Sequence, residues 1–191
     1  MTITVAHWDR VFAAGEGFRR VTPAELRLLA QHVRPEPGQR AMDVGCGLGA
    51  YAAELTGLGY RTLAVDWAEA SVAAVRDRYA GLLPGLTARR LDFEDDQAVV
   101  NTVPAGEFAL VTKRLVFAFM SDKTAAAQRV RRLLAPDGAW VVTTPLAEQL
   151  AAERAHIGLT RADVGALVEG WSSGCWYDLE SGGLRCFVLR P

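Results

Sequence analysis

Asp43, Asp66 and Asp92 lie at the ends of three successive short apolar runs. Asp43 also stands two residues ahead of a glycine turn, Gly45-Cys46-Gly47-Leu48-Gly49-Ala50. An ionised carboxylate only accepts hydrogen bonds, so three of them on one rim suit a cationic, hydroxyl-bearing ligand that donates. Glycine weakens helix and strand interiors alike. Three glycines in five residues therefore mark a tight turn where backbone comes close to a ligand. A strand, a glycine turn and a helix start together form a cradle for a polar or anionic group.

The surrounding elements must bring these groups to one edge. Residues 40–44, 62–65, 86–91, 108–112 and 139–144 read as short buried strands, with helical stretches at 50–58, 69–79, 95–100 and 123–134 between them. That alternation argues for a parallel sheet with helices on both faces, and ligands of such sheets bind beyond the carboxyl ends of the strands. Upstream, Val5, Trp8, Val11 and Phe12 form a helical stripe. Thr22-Pro23-Ala24-Glu25 then reads as an N-cap, a first-turn proline and a capping-box acid. Downstream, 148–156 and 161–169 read as helices, the second capped by Thr160. Residues 170–179 and 184–189, joined by Glu180-Ser181-Gly182-Gly183, carry a hairpin signal.

With 191 residues, 50% of them hydrophobic and 23% charged, the chain suits one globular domain with a sizeable core. The expected division is an N-terminal helical arm (1–38), a ligand-binding core (39–145) and a C-terminal part with helices and the hairpin (146–191). A net charge of −1 supplies no field for nucleic acid or an acidic membrane. Three cysteines without a C-x-x-C pair give neither a disulfide framework nor a zinc signature, and no metal is expected. The start of the chain lacks the pattern of a signal peptide, and no apolar run suits a spanning helix, so a cytoplasmic enzyme is expected.

Four motifs, in order, carry a resemblance. M-D-V-G-C-G-L-G (42–49), L-A-V-D-W (63–67), L-D-F-E-D (91–95) and L-L-A-P-D-G-A-W-V-V-T-T-P (133–145) resemble those of class I S-adenosylmethionine (SAM)-dependent methyltransferases. The resemblance spans roughly residues 8–145. It implies an α/β fold: a Rossmann-like doubly wound, mostly parallel seven-stranded sheet with a C-terminal antiparallel hairpin and helices on both faces. It also implies SAM as cofactor, S-adenosylhomocysteine as product, a small-molecule acceptor, and no nucleic-acid or membrane partner. The oligomeric state is left open.

By the same resemblance, the backbone of Gly45, Cys46, Gly47 and Gly49 admits the amino-acid tail and ribose. Asp43 orients the turn or accepts from the ammonium through water. Asp66 accepts the ribose hydroxyls, Trp67 faces the adenine, Asp92 accepts its amino group, and the backbone N–H of Phe93 reaches a ring nitrogen. Thr112, Lys113 and Arg114 line the sulfonium side. The arm, with Trp8, Phe12 and Phe18, closes over the cofactor and shapes the acceptor pocket, where Arg114 could attract an acidic group. Methyl transfer rests on positioning; a weak hydroxyl nucleophile benefits from a base, and His7 on the arm is the candidate. Ala109 and Ala118 stand where relatives often carry Asp and His. Two other readings fit the glycine turn: a non-catalytic SAM-binding protein of the same fold, and a nicotinamide-dependent oxidoreductase.

Overall fold

The computed structural model describes residues 4–17, 19–179 and 183–191. The chain opens with helices α1 (Val5–Ala13) and α2 (Pro23–Val33). There follow β1 (Arg40–Val44), α3 (Ala50–Gly57), β2 (Arg61–Asp66), α4 (Glu69–Arg78) and β3 (Leu86–Arg90). Next come α5 (Asp96–Thr102), β4 (Phe108–Arg114), α6 (Lys123–Leu133) and β5 (Leu134–Pro145). Helix α7 (Arg161–Val168) and strands β6 (Ser173–Leu179) and β7 (Leu184–Arg190) complete the fold.

The strands form one seven-stranded sheet in the order β3-β2-β1-β4-β5-β7-β6. The first five are parallel, and β7 inserts antiparallel between β5 and β6. Strand order runs outward from β1 in both directions, so a crevice opens at the carboxyl ends of β1 and β4, where ligands of such sheets bind. Strand alternation sorts the core. Met42, Val44, Val111 and Val142 face α5, α6 and α7 through Val99, Val130 and Leu167. Ala41, Leu110 and Val141 face α2 and α3 through Leu29 and Leu55. Helix α4 joins the second face, its Val75 packing with Ala52 and Ala64.

Caps explain several helix starts. Thr22 accepts from the Glu25 N–H with Pro23 in the first turn, Asp122 caps α6, and Thr160 and Asp163 form a reciprocal capping box on α7. Three expectations are corrected. Strand β4 runs on through Arg114. Strand β5 begins at Leu134, which pairs with Phe108 before the register shifts to Leu110–Ala139. The helix expected at 148–156 is two 3-10 segments, Ala147–Gln149 and Ala152–Ile157. There the Ala147 N–H donates to Leu159 O (2.8 Å) and the Leu159 N–H to Pro145 O (2.9 Å), drawing the segment back to the end of β5 before an α-helix can run its length. The hairpin forms as expected; residues 180–182 at its turn lie outside the described ones.

Candidate functional site

A cavity of about 290 Å³ opens at the carboxyl ends of β1, β2 and β4. Its floor is the turn after β1. The N–H groups of Gly45 and Cys46 both donate to Val65 O (2.8 and 3.1 Å), which pins the turn to β2. Gly45 and Gly49 adopt φ of +73° and +82°, a region that favours glycine. A Cβ at Gly45 would meet Val116 at 2.5 Å, and one at Gly49 would meet Val75 at 2.6 Å. At these two positions the protein's own side chains already fill the space a Cβ would take. Gly47 is different: it faces the cavity's arm side, where a Cβ would meet the Phe12 ring at 3.3 Å.

Asp66 stands at the end of β2 and holds the turn. Its Oδ2 accepts from the Gly47 N–H and its Oδ1 from the Ala68 N–H, both at 3.0 Å. Burial raises its carboxyl above the ordinary range, opposed by those hydrogen bonds. Asp43, at the end of β1, is 2% exposed and accepts from the Thr112 hydroxyl at 2.7 Å. Burial pushes its carboxyl up to about 6, against the pull of Thr112 and Arg114. Both acids line the cavity. Asp92, after β3, lines it too but is exposed, and its Oδ1 accepts from the Glu94 N–H at 2.9 Å. Trp67, Phe93 and Cys46 are also in the lining. The Cys46 thiol is buried, 3.7 Å from Ser71 Oγ, and desolvation raises it above the usual thiol range.

The arm forms the opposite wall. Trp8 and Phe12 stack at 5.6 Å between ring centroids, and both line the cavity. The Asp9 carboxylate accepts from the Ala70 N–H at 3.0 Å, tying α1 to the start of α4. Arg114 anchors the segment between α1 and α2. Its guanidinium makes a two-pronged pair with Glu25 (2.7 and 3.0 Å) and also donates to the carbonyls of Arg19 (2.8 Å) and Arg20 (3.2 Å). Glu25 thus serves Arg114 rather than closing a capping box.

Three expected site residues stand elsewhere. Thr112 and Lys113 do not line the cavity. The first is committed to Asp43; the second, one residue on, points to the other face of the sheet by strand alternation. There the Lys113 amine is fully buried, 3.8 Å above the centre of the Phe93 ring and 3.8 Å from Met120 Sδ. Burial holds it well below the usual lysine range. His7 packs edge-on against Trp8 at 5.2 Å and does not line this cavity, so the structure does not bring the candidate base to the site. Phe18 lies outside the described residues. Sequence reading missed Tyr51, Val116, Phe119 and Met120 in the lining. Tyr51 directly follows the glycine motif, which could have flagged it; the other three follow β4 and carry no local signal.

This sheet order, with one antiparallel strand inserted beside β5 and acids ringing a glycine turn after β1, defines a class I SAM-dependent methyltransferase. A family model described as a methyltransferase domain matches residues 14–186, and the chain belongs to that family. Nocamycin O-methyltransferase of Saccharothrix syringae is 39% identical over 137 residues, covering 70% of this chain. That match spans 46% of the relative's length, so this chain corresponds to about half of it. A SAM-dependent methyltransferase from Aquifex aeolicus superposes with a TM-score of 0.75 over 99% of this chain and 100% of its own, at 13% identity. Haemonchus contortus phosphoethanolamine N-methyltransferase 2, solved with SAM, gives 0.72 over 98% of this chain and 57% of its own, also at 13% identity. The family match displaces the oxidoreductase reading. Among the described residues, no helix is long and apolar enough to cross a membrane, and no cluster of His, Cys, Asp and Glu is placed to hold a metal ion.

Proposed function

We propose that this chain moves the methyl group of SAM to an oxygen of a small-molecule acceptor, and that it does so mainly by positioning. One observation carries the reading: Asp43 and Asp66, both buried and both raised by desolvation, face the same cavity. A ligand that brings an ammonium group and a ribose diol restores the partners these acids lost on leaving water.

The residues present fit that cofactor. Asp66, held at the end of β2 by the Gly47 and Ala68 N–H groups, faces the cavity and suits the ribose hydroxyls. Asp43 suits the ammonium end. Trp67 and Phe93 offer apolar walls for the flat base, and exposed Asp92 offers an acceptor for its amino group. When bound, SAM supplies an activated methyl on a sulfonium, open to in-line displacement. Trp8 and Phe12 form the arm wall of the cavity, with the Phe12 ring over Gly47. Arg114 and Glu25 hold the arm at its station. Holding two reactants aligned lowers a barrier by about 7–11 kcal/mol, which removes the need for a catalytic dyad.

The O-methyl class and the small acceptor are supported by the nocamycin relative. The test is incubation with methyl-labelled SAM and a metabolite extract. Label is expected in a small product as a methyl ether or ester. Label only in protein or nucleic acid would overturn the acceptor assignment. Tight SAM binding without any transfer would favour a non-catalytic binding protein.

A further inference from the structure

Ser71 is the third residue of α4, and its side chain is fully buried. Its neighbours Ala70, Ala73 and Ala74 are alanines, which suit a helix better than serine does. A buried hydroxyl destabilises a chain unless it finds a partner, and a serine inside a helix commonly bonds the carbonyl one turn back. That carbonyl, on Trp67, accepts instead from the Arg90 guanidinium at 3.0 Å. The Ser71 hydroxyl leaves its own helix and donates to Gly47 O at 2.5 Å, across 24 residues of chain.

Gly47 is therefore held at both of its polar groups. Its N–H donates to Asp66 Oδ2 at 3.0 Å, and its C=O accepts from Ser71 Oγ. The flanking glycines of the turn are held by packing, with Val116 against Gly45 and Val75 against Gly49. At Gly47 the side chain in that place is Phe12, which belongs to the arm and not to the sheet. A glycine in this setting keeps a chosen conformation through its hydrogen bonds, and only its φ and ψ separate the two bonds made here.

Two further groups converge on the same hydroxyl. Cys46 Sγ lies 3.7 Å from Ser71 Oγ. A hydroxyl has one proton to give, and that of Ser71 goes to Gly47 O, so the thiol is the donor in this contact. Burial raises the Cys46 thiol well above its usual range and keeps that proton in place. Burial also raises the Asp66 carboxyl, and the Ser71 hydroxyl joins the N–H groups of Ala68 and Gly47 in opposing the rise. Ser71 itself does not line the cavity, whereas Cys46, Gly47 and Asp66 do.

We propose that Ser71 is a positioning residue for the cofactor: by fixing the Gly47 carbonyl it fixes the Gly47 N–H, and with it the Asp66 carboxylate, in the orientation that receives the ribose diol. This rests on the methyl-transfer reading of the cavity and adds a residue that acts on the cofactor only through its neighbours.

The test is calorimetry on the whole chain, comparing S-adenosylhomocysteine with its 2′-deoxy and 3′-deoxy analogues in the wild type and in Ser71→Ala. The wild type is expected to prefer the intact diol over at least one deoxy analogue at least about tenfold. In Ser71→Ala that preference is expected to fall at least about threefold, because the diol loses a well-aimed partner and the deoxy analogue has less to lose. A residue that only packs would weaken every ligand alike and leave the ratio where it was. Alanine suits a helix interior, and unfolding curves report whether the variant is folded. Should it not fold, Ser71→Cys, whose S–H is a weak donor, carries the same comparison, with a fall of at least about twofold expected. An unchanged diol preference in the folded variant, or an unchanged affinity for S-adenosylhomocysteine, overturns the proposal and leaves the cofactor reading standing. No binding of S-adenosylhomocysteine to the wild type, or binding without a diol preference, overturns the reading of Asp66 as the ribose acceptor, and this proposal with it.

Discussion

Two neighbouring regions at the carboxyl edge of the sheet hold their polar groups in different ways. On the β1–β2 side the chemistry is acidic, buried and held by the protein's own groups: Asp66 by two backbone N–H donors, Asp43 by a threonine hydroxyl. On the β5 side it is basic and exposed, carried by an inter-helix segment and two 3-10 turns. Rigid, desolvated groups suit a part common to every reaction cycle. Exposed side chains on short turns can change with little disturbance of the core.

The largest effect is expected where the two sides are tied together. Glu25 and Arg114 are 3% and 9% exposed at the side chain, and removing one partner of a buried pair costs about 3–5 kcal/mol. Denaturant unfolding of Arg114→Ala should show a loss of that order. The Glu25→Leu/Arg114→Met protein should recover most of it, because no lone charge remains buried. A loss below about 1 kcal/mol would mean that the pair behaves as a surface contact and does not anchor the arm.

Next is the glycine turn. Gly49→Val puts a branched side chain at φ +82° against Val75. Backbone strain and overpacking together should cost about 2–4 kcal/mol. Arg154→Ala on the opposite side should fall within about 0.5 kcal/mol of wild type. Equal losses in the two proteins, measured by the same unfolding curves, would erase the contrast between a rigid and an adaptable side.

The smallest effect is a pH signature confined to the acidic side. The folded Asp43 carboxyl titrates near 6 against an ordinary 3.8. Between those values the folded chain holds more protons than the unfolded one. The contribution of Asp43 to stability therefore declines as pH rises through that window and levels off above it. Asp43→Asn should remove this component, seen as a melting temperature that changes less between pH 4 and pH 6.5 than that of wild type. A ligand that pairs with ionised Asp43 should bind more tightly as pH rises through about 6. An unchanged slope in the variant would mean that Asp43 is not desolvated in solution.

These contrasts also explain what one sequence can and cannot reveal. The glycine turn and the cap at Thr22 are legible because each depends on neighbours a few residues away; Asp66 is legible only as an acid at the end of an apolar run, since its bond to Gly47 spans 19 residues. Glu25 and Arg114 are 89 residues apart, and no periodicity joins them. Lys113 is a rim residue only if β4 stops at Thr112; the two further residues of strand turn it into the core. Arg129 sits among the arginines of α6, yet it is 9% exposed and paired with Asp96 of α5, a partner that its own helix does not show. His7 sat on the arm that closes over the cavity, but the helical turn that aims Trp8 and Phe12 inward leaves the His7 ring against the edge of Trp8. Chain position was legible there, and side-chain direction was not.

The most direct measurement is calorimetric titration of S-adenosylhomocysteine into the wild-type chain and into Asp66→Ala near neutral pH, with unfolding curves of both proteins. If the buried acids of the β1–β2 side hold the cofactor, the wild type binds one equivalent, and the folded variant binds at least about tenfold more weakly, a loss of about 1.4 kcal/mol. Equal affinity in the two proteins, or no binding to the wild type, would contradict it.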